Sequence, residues 1–130
     1  MSLGKSFSDI RVKDVMSKNL IAADPSTTIF QIAKMMEQGI GAVLVKKDSK
    51  PTGIITDRDF AIKVAVNSMP TDTTVDKVAS YPLQTIDSEK SIAEAASVMS
   101  TKKIRKIAVM EGDTIVGIIT STDLVNQIAS

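Results

Sequence analysis

The chain has 130 residues, 43% of them apolar, and a net charge of +1 from 16 basic and 15 acidic residues. That length suits one compact domain or two half-domains sharing a core, and the near balance of charge gives no electrostatic reason to wrap nucleic acid or to dock on an anionic membrane. Cysteine and histidine are both absent, which excludes thiolate nucleophiles, disulfide frameworks, cysteine or histidine zinc cages and histidine bases.

Residues 1–11 read as a loose N-terminal segment. From Val12 onward each stretch occurs twice. Val12-Lys13-Asp14-Val15-Met16 matches Val75-Asp76-Lys77-Val78-Ala79 at an offset of 63. The same offset pairs Leu20 with Leu83, Asp24 with Asp87, Ile29 with Ile92 and Met36 with Met99. One extra residue enters the second copy near Lys102, and from Ile40/Ile104 to Asp59/Asp123 the offset is 64. One indel, with apolar positions kept in phase, marks a tandem duplication. Two copies are too few for a solenoid. The expected division is 12–68 for the first repeat, 69–74 for a linker and 75–130 for the second repeat.

Each copy reads alike. A short helical turn (12–16; 75–79) leads to a short strand (20–23; 83–86). An amphipathic helix follows, with Ile29, Ile32, Ala33, Met35 and Met36 at helical spacing in the first copy. Thr28 with Gln31, and Ser91 with Glu94, fit capping boxes at its start, and Gly39 fits its stop in the first copy. Two strands come next (41–46 and 53–56; 105–110 and 117–120), joined by turn-forming residues. A last helix covers 57–67 and 121–129. Ala42-Val43-Leu44-Val45 and Ile54-Ile55 are apolar without alternation, which implies a sheet buried on both faces. A unit of about 60 residues is marginal alone. The fold class expected is α/β (α+β): two tandem β-α-β-β-α repeats packed as a pseudo-twofold pair around a central cleft.

The most distinctive phrase is Gly53-Ile54-Ile55-Thr56-Asp57-Arg58-Asp59-Phe60, repeated as Gly117-Ile118-Ile119-Thr120-Ser121-Thr122-Asp123-Leu124. A strand hands over to a helix, and a hydroxyl and a carboxylate meet at the junction. Thr-x-x-Asp is a capping box. It is also a ligand grip, because an ionised carboxylate accepts two hydrogen bonds and a ribose presents two adjacent hydroxyls. Both readings stand at this point. Asp57 and Asp59, two apart at a helix start, diverge and make a poor metal site.

A basic cluster, Lys102, Lys103, Arg105 and Lys106, faces an uncharged counterpart in the first copy: Gln38, Gly39, Gly41 and Ala42. The two copies should therefore differ. Successive strand positions point to opposite faces, so only one of Arg105 and Lys106 can enter a given cleft. The cluster is either a solvated edge that deters strand pairing or a phosphate contact. Arg58, replaced by Thr122 in the second copy, is a further phosphate candidate.

The repeat resembles a CBS domain, and the pair resembles a Bateman module. The resemblance rests on Asp14-Val15-Met16, Asp24-Pro25-Ser26-Thr27-Thr28-Ile29, Ile104-Arg105-Lys106-Ile107-Ala108-Val109 and the twin Gly53 and Gly117 phrases, and it covers residues 12–129. It implies a regulatory module that is not itself an enzyme. It also implies an adenosine-containing ligand (AMP, ADP, ATP or S-adenosylmethionine) between the copies, with Thr56, Asp59, Thr120 and Asp123 on the ribose. A homodimer and an effector protein acted on in trans are expected with it. The methionines at 35, 36 and 99 are expected as core or interface filler.

Two other readings remain. One is a ligand-free structural or dimerisation scaffold, and the uncharged 38–42 region favours it for one site. The other is a nucleic-acid-binding module using Lys102–Lys106, which few aromatics (3%) and balanced charge disfavour. No apolar run approaches the roughly 20 residues of a membrane span, and no signal-peptide block opens the chain. A cytoplasmic protein without membrane contact is expected.

Overall fold

The computed structural model describes residues 6–129. In chain order the elements are α1 (Val12–Val15), β1 (Ala22–Ala23), α2 (Ile29–Glu37), β2 (Ala42–Lys47), β3 (Lys50–Thr56) and α3 (Asp57–Asp59). α3 continues as a π-helical stretch, Phe60–Ala65, and a 3-10 turn follows at Val75–Lys77. Then come β4 (Thr85–Asp87), α4 (Ile92–Lys102), β5 (Lys106–Glu111), β6 (Thr114–Thr120) and α5 (Ser121–Ala129). The mixed α/β class and its duplication are as expected.

Each copy forms a three-stranded sheet, β1-β2-β3 and β4-β5-β6. The first pair in each is parallel and the second is antiparallel. Both hairpins shift register at the same place, between Val45 and Lys46 and between Val109 and Met110. The hairpin strands run closer to the turn than expected, because Lys47, Lys50, Pro51 and Glu111 still pair. Val43, Leu44 and Val45 are buried in succession, as are Ile107, Ala108 and Val109. Successive strand residues point to opposite faces, so both faces of each sheet are covered.

The helix starts follow from capping. Thr28 Oγ1 accepts from the Gln31 N–H at 3.2 Å, and the Gln31 side chain accepts from the Thr28 N–H at 3.0 Å. Ser91 Oγ accepts from the Glu94 N–H at 3.2 Å. α2 ends on Gly39 at φ +97°, a left-handed conformation that favours glycine. The aligned residue after α4 is Lys103, which adopts φ 56°. The extra residue of the second copy is absorbed in α4. Met99 is buried in one core, and Met35 and Met36 pack against the other. Ala33, counted with the apolar face of α2, is exposed.

The chain forms two compact units. One is Ile21–Leu83; the other joins the residues up to Leu20 to those from Gln84 onward. The lead-in turns are therefore exchanged relative to the order of the repeats. Val75, Val78 and Ala79 belong to the core of the first sheet, with Ile29, Ile32, Val43 and Ile55. Ser80 pairs with Ile54 through both backbone groups, at 2.8 and 3.1 Å. Val12 belongs to the core of the second sheet, with Ile92, Ile107 and Ile119, and Ser17 pairs with Ile118 in the same manner. The repeat boundaries at 68 and 75 mark the duplication in sequence, whereas the units are cut near 20 and 84.

Residues 6–11, read from sequence as loose, are tied down. The Phe7 carbonyl accepts from the Ala93 N–H at 3.1 Å and the Ile10 carbonyl from the Ile92 N–H at 2.9 Å. Phe7 and Ile10 also pack on the second core. Residues 1–5 of that expected segment lie outside the described residues.

Candidate functional site

The first junction lies where β3 meets α3, within the Ile21–Leu83 unit. Thr56 is the N-cap. Its N–H donates to Asp59 Oδ2 at 2.9 Å, its hydroxyl reaches the same oxygen at 3.3 Å, and Oγ1 lies 3.4 Å from the Asp59 N–H. The other carboxylate oxygen, Oδ1, accepts from the Ser80 hydroxyl at 2.9 Å and faces Lys63 Nζ at 3.2 Å. Lys63 also donates to the Val78 carbonyl at 2.8 Å and to Ser80 Oγ at 3.1 Å. The Asp59 side chain is 9% exposed and that of Lys63 36%.

Two lone-pair sites on each oxygen make about four acceptor positions on a carboxylate. At Asp59 all four are met: two by Thr56, one by Ser80 and one by Lys63. Burial of a carboxylate is tolerable only with this degree of pairing. Arg58 projects from the same turn and is exposed.

The second junction lies where β6 meets α5, within the other unit. The Thr120 N–H donates to Asp123 Oδ2 at 2.8 Å, and Thr120 Oγ1 accepts from the Asp123 N–H at 3.2 Å. Asp123 is half-buried where Asp59 is buried. The residue aligned with Lys63 is the uncharged Gln127. The residue aligned with Ser80 is Ser17, whose hydroxyl accepts from the Asn19 N–H at 3.3 Å.

The basic cluster belongs to this second unit. Lys106 pairs directly with Thr120 across β5 and β6, and in the first copy Ala42 takes that place opposite Thr56. Directly opposed residues of an antiparallel pair share a sheet face. Lys106 is therefore the member of the cluster on the Thr120 side, and it is half-buried. The Arg105 carbonyl accepts from the Ser121 N–H at 2.9 Å, which ties the loop before β5 to the start of α5. Lys102, Lys103 and Arg105 have exposed side chains. The candidates thus gather into two sets, Thr56, Arg58 and Asp59 in one unit, and Thr120, Asp123 and Lys106 in the other. A hollow of about 500 Å³ in the second unit, lined by Lys13, Asp14, Met16, Lys18, Glu111 and Val116, contains none of them.

Both glycines that open the phrases are close-approach positions. A Cβ on Gly53 would lie 2.5 Å from the Tyr81 ring, and one on Gly117 would lie 2.7 Å from the Ser17 carbonyl oxygen. The lead-in chain therefore passes directly over each phrase.

Sequence reasoning missed Lys63 and Ser80. An acid four residues before a lysine on a helix is a recognisable pair, so Asp59 and Lys63 carried a usable signal. Ser80 carried none, because its place depends on the exchange of the lead-in turns.

Residues 12–65 and 71–130 each match the CBS domain family. An uncharacterised protein of Methanopyrus kandleri is 33% identical over 119 residues, covering 88% of this chain. The chain spans only 61% of the length of that relative. Among solved structures, an uncharacterised conserved protein from Pyrococcus horikoshii is similar with a TM-score of 0.89 and 27% identity, over 97% of this chain and 96% of that one. The CBS domain pair of protein MJ0100, solved in complex with 5′-methylthioadenosine and S-adenosyl-L-methionine, is similar with a TM-score of 0.80 and 27% identity, over 92% and 95% of the two chains. CBS pairs are in general regulatory ligand-binding modules rather than catalysts. With both of its repeats matched, the chain belongs to the CBS domain family.

Proposed function

We propose that the chain is a regulatory module that binds an adenosine-containing ligand, of the AMP, ADP, ATP or S-adenosylmethionine kind, and signals in trans to an effector protein without catalysing a reaction. The observation that carries this reading is the second junction. There a strand-end carboxylate, Asp123, and a hydroxyl, Thr120, stand beside Lys106 on the facing strand. A carboxylate accepts from a ribose diol, and an ammonium across the strand pair suits a phosphate or another anionic group. Thr56 and Asp59 form the second candidate grip, with Arg58 beside it. Lys102, Lys103 and Arg105 are peripheral phosphate candidates.

Support comes from the adenosine compounds bound by the MJ0100 pair. Among the described residues no helix is long and apolar enough to cross a membrane. A cytoplasmic homodimer remains the assembly we propose. To transmit a signal, the ligand must bind one arrangement of the chain better than another.

The test is a thermal-shift panel of AMP, ADP, ATP and S-adenosylmethionine on the wild type and on Asp123→Ala. A ligand at 100 times its dissociation constant stabilises the folded form by about 2.7 kcal/mol. A shift with one compound that Asp123→Ala abolishes supports the reading; no shift with any of them overturns it. The scaffold reading draws on a different observation, the fully paired carboxylate at Asp59. A scaffold predicts an Asp123→Ala variant less stable by the worth of a cap, about 0.5–2 kcal/mol, with no ligand response to lose.

A further inference from the structure

The two copies fill the patch beside the opening glycine of each phrase differently. In the first, the Tyr81 ring lies over Gly53, 2.5 Å from where a Cβ would stand, and its hydroxyl donates to the Asp76 carbonyl at 3.2 Å. The aligned patch of the second copy has Lys18 for Tyr81, Met16 for Ala79 and Val116 for Thr52. There Met16 Sδ takes the place over the glycine, 2.6 Å from a Cβ on Gly117, and no ring is supplied. Beside it lies the hollow of about 500 Å³ lined by Met16, Val116, Lys13, Asp14, Lys18 and Glu111. All of these residues belong to one unit, so the hollow is complete within it. Its volume falls in the range of about 300–1,000 Å³ usual for small-molecule sites.

We propose that this hollow binds a free α-amino acid with an aromatic side chain. Met16 and Val116, both half-buried, give the apolar wall for the ring, and a thioether is a favourable neighbour for an aromatic edge. The first copy shows that an aromatic ring fits against this patch of the repeat. The rim carries charges of both signs. Lys13 is taken by Glu89 at 2.6 Å, and Asp14 Oδ2 accepts from the Arg11 N–H at 3.3 Å. Among the described residues no hydrogen bond or ion pair engages the Lys18 ammonium or the Glu111 carboxylate, and Glu111 acts on Lys13 through its charge alone. A zwitterion answers both free groups at once, its carboxylate toward Lys18 and its ammonium toward Glu111. Thr120 and Asp123 do not line the hollow, so this site is separate from the adenosine grip and does not rest on it.

The experiment is isothermal titration calorimetry with phenylalanine and three analogues: hydrocinnamate, which lacks the ammonium, phenethylamine, which lacks the carboxylate, and alanine, which lacks the ring. The wild type is expected to take one phenylalanine per chain and to bind each analogue more weakly. Lys18→Gln is expected to weaken phenylalanine roughly fivefold, the upper worth of an exposed ion pair, and to leave phenethylamine unchanged. Glu111→Gln is expected to weaken phenylalanine to a similar degree and to leave hydrocinnamate unchanged. Lys18→Tyr, which installs the ring that the first copy carries at this place, is expected to abolish binding. Methyl NMR of the wild type gives a second readout that needs no variant: the Met16 and Val116 signals are expected to move with phenylalanine and to stay with AMP. No response to phenylalanine, an analogue that binds as well as phenylalanine, or a Lys18→Tyr chain that binds like the wild type overturns the proposal. AMP displacing phenylalanine from Met16 and Val116 overturns it too. Signals of residues 120–123 report AMP separately, so the adenosine reading stands or falls by itself.

Discussion

At the first junction the carboxylate of Asp59 meets Thr56, Ser80 and Lys63 and is buried; at the second, Asp123 takes the Thr120 N–H and is half-buried. The phrases that build the two are nearly the same, and both close a capping box on their own backbone. The difference arises one helical turn later and on the opposite strand. The first copy has Lys63 where the second has Gln127, so Asp59 has a lysine four residues on and Asp123 does not. Ala42 against Lys106 decides which threonine has a cation across the sheet. A duplicated motif can thus keep its local geometry while the residues around it differ, leaving one carboxylate buried and the other half-buried.

The sharpest way to break that comparison is to remove each carboxylate. Asp59→Ala strips the acceptor from three side chains and leaves the Lys63 ammonium in a part-buried place. We expect a loss of about 3 kcal/mol, since bonds to charged groups contribute roughly 1.5–3 kcal/mol and Lys63, being part-exposed, recovers some water. Asp123→Ala removes a cap and should lose about 1 kcal/mol. Urea denaturation of the two variants measures the gap. Equal losses would show that the Ser80 and Lys63 contacts add nothing, and the two junctions would then be energetically alike.

The glycines sharpen the comparison on a smaller scale. In Gly117→Ala the new methyl meets a backbone oxygen, that of Ser17, at 2.7 Å, and backbone cannot swing away. In Gly53→Ala it meets the Tyr81 ring at 2.5 Å and the Ser80 carbonyl oxygen at 3.0 Å, and the half-exposed ring can rotate. Overpacking typically loses about 1–3 kcal/mol. Gly117→Ala should fall near the upper end and Gly53→Ala near the lower, as read from denaturation midpoints.

Helix ends give a third contrast. Gly39 and Lys103 hold aligned left-handed positions at φ +97° and 56°. Only the first has the residue type suited to it. Gly39→Ala should destabilise by about 1 kcal/mol. Lys103→Gly should gain less than about 1 kcal/mol, because relief of strain is offset by greater freedom in the unfolded chain. Opposite signs in thermal midpoints are the expected result; the same sign in both would mean that Lys103 is favoured by contacts its backbone does not reveal.

How much of this was legible depends on distance along the chain. The capping boxes at Thr28, Thr56 and Thr120 involve residues three apart and form as the spacing implies, whereas at Ser91 only the hydroxyl half forms, the Glu94 carboxylate lying 3.8 Å from Lys90 Nζ instead. The sheets followed from unbroken apolar runs. The exchange of the lead-in turns was not legible, because Val12 and Val75 sit in equivalent sequence contexts and only closure of the chain decides which sheet each one covers. Nor was the π-helical stretch, since Phe60–Ala65 aligns with 124–129 without an insertion and carries ordinary helix formers. At the candidate sites the carboxylates and hydroxyls were found, but the partners that distinguish them were not. Ser80 reaches Asp59 from 21 residues away, through a segment that the repeat boundaries assign to the other copy.

The smallest contrast lies where the lead-in chain crosses each phrase. Tyr81 covers Gly53, and its aligned residue near Gly117 is Lys18. The Tyr81 hydroxyl donates to the Asp76 carbonyl at 3.2 Å. Burial of the phenol, and secondarily the charge of Asp76, hold its pKa above the usual 10. A folded-state pKa that is raised favours the protonated form, so the contribution of Tyr81 is fully present below pH 10 and is lost as pH climbs through the folded value. Tyr81→Phe cannot ionise and loses nothing in that window. Stability of the wild type should therefore fall more steeply with pH above 10 than that of Tyr81→Phe, by a small margin because the side chain is about half exposed. Parallel pH profiles would mean that the ring covers Gly53 by contact alone and that its hydroxyl feels only water.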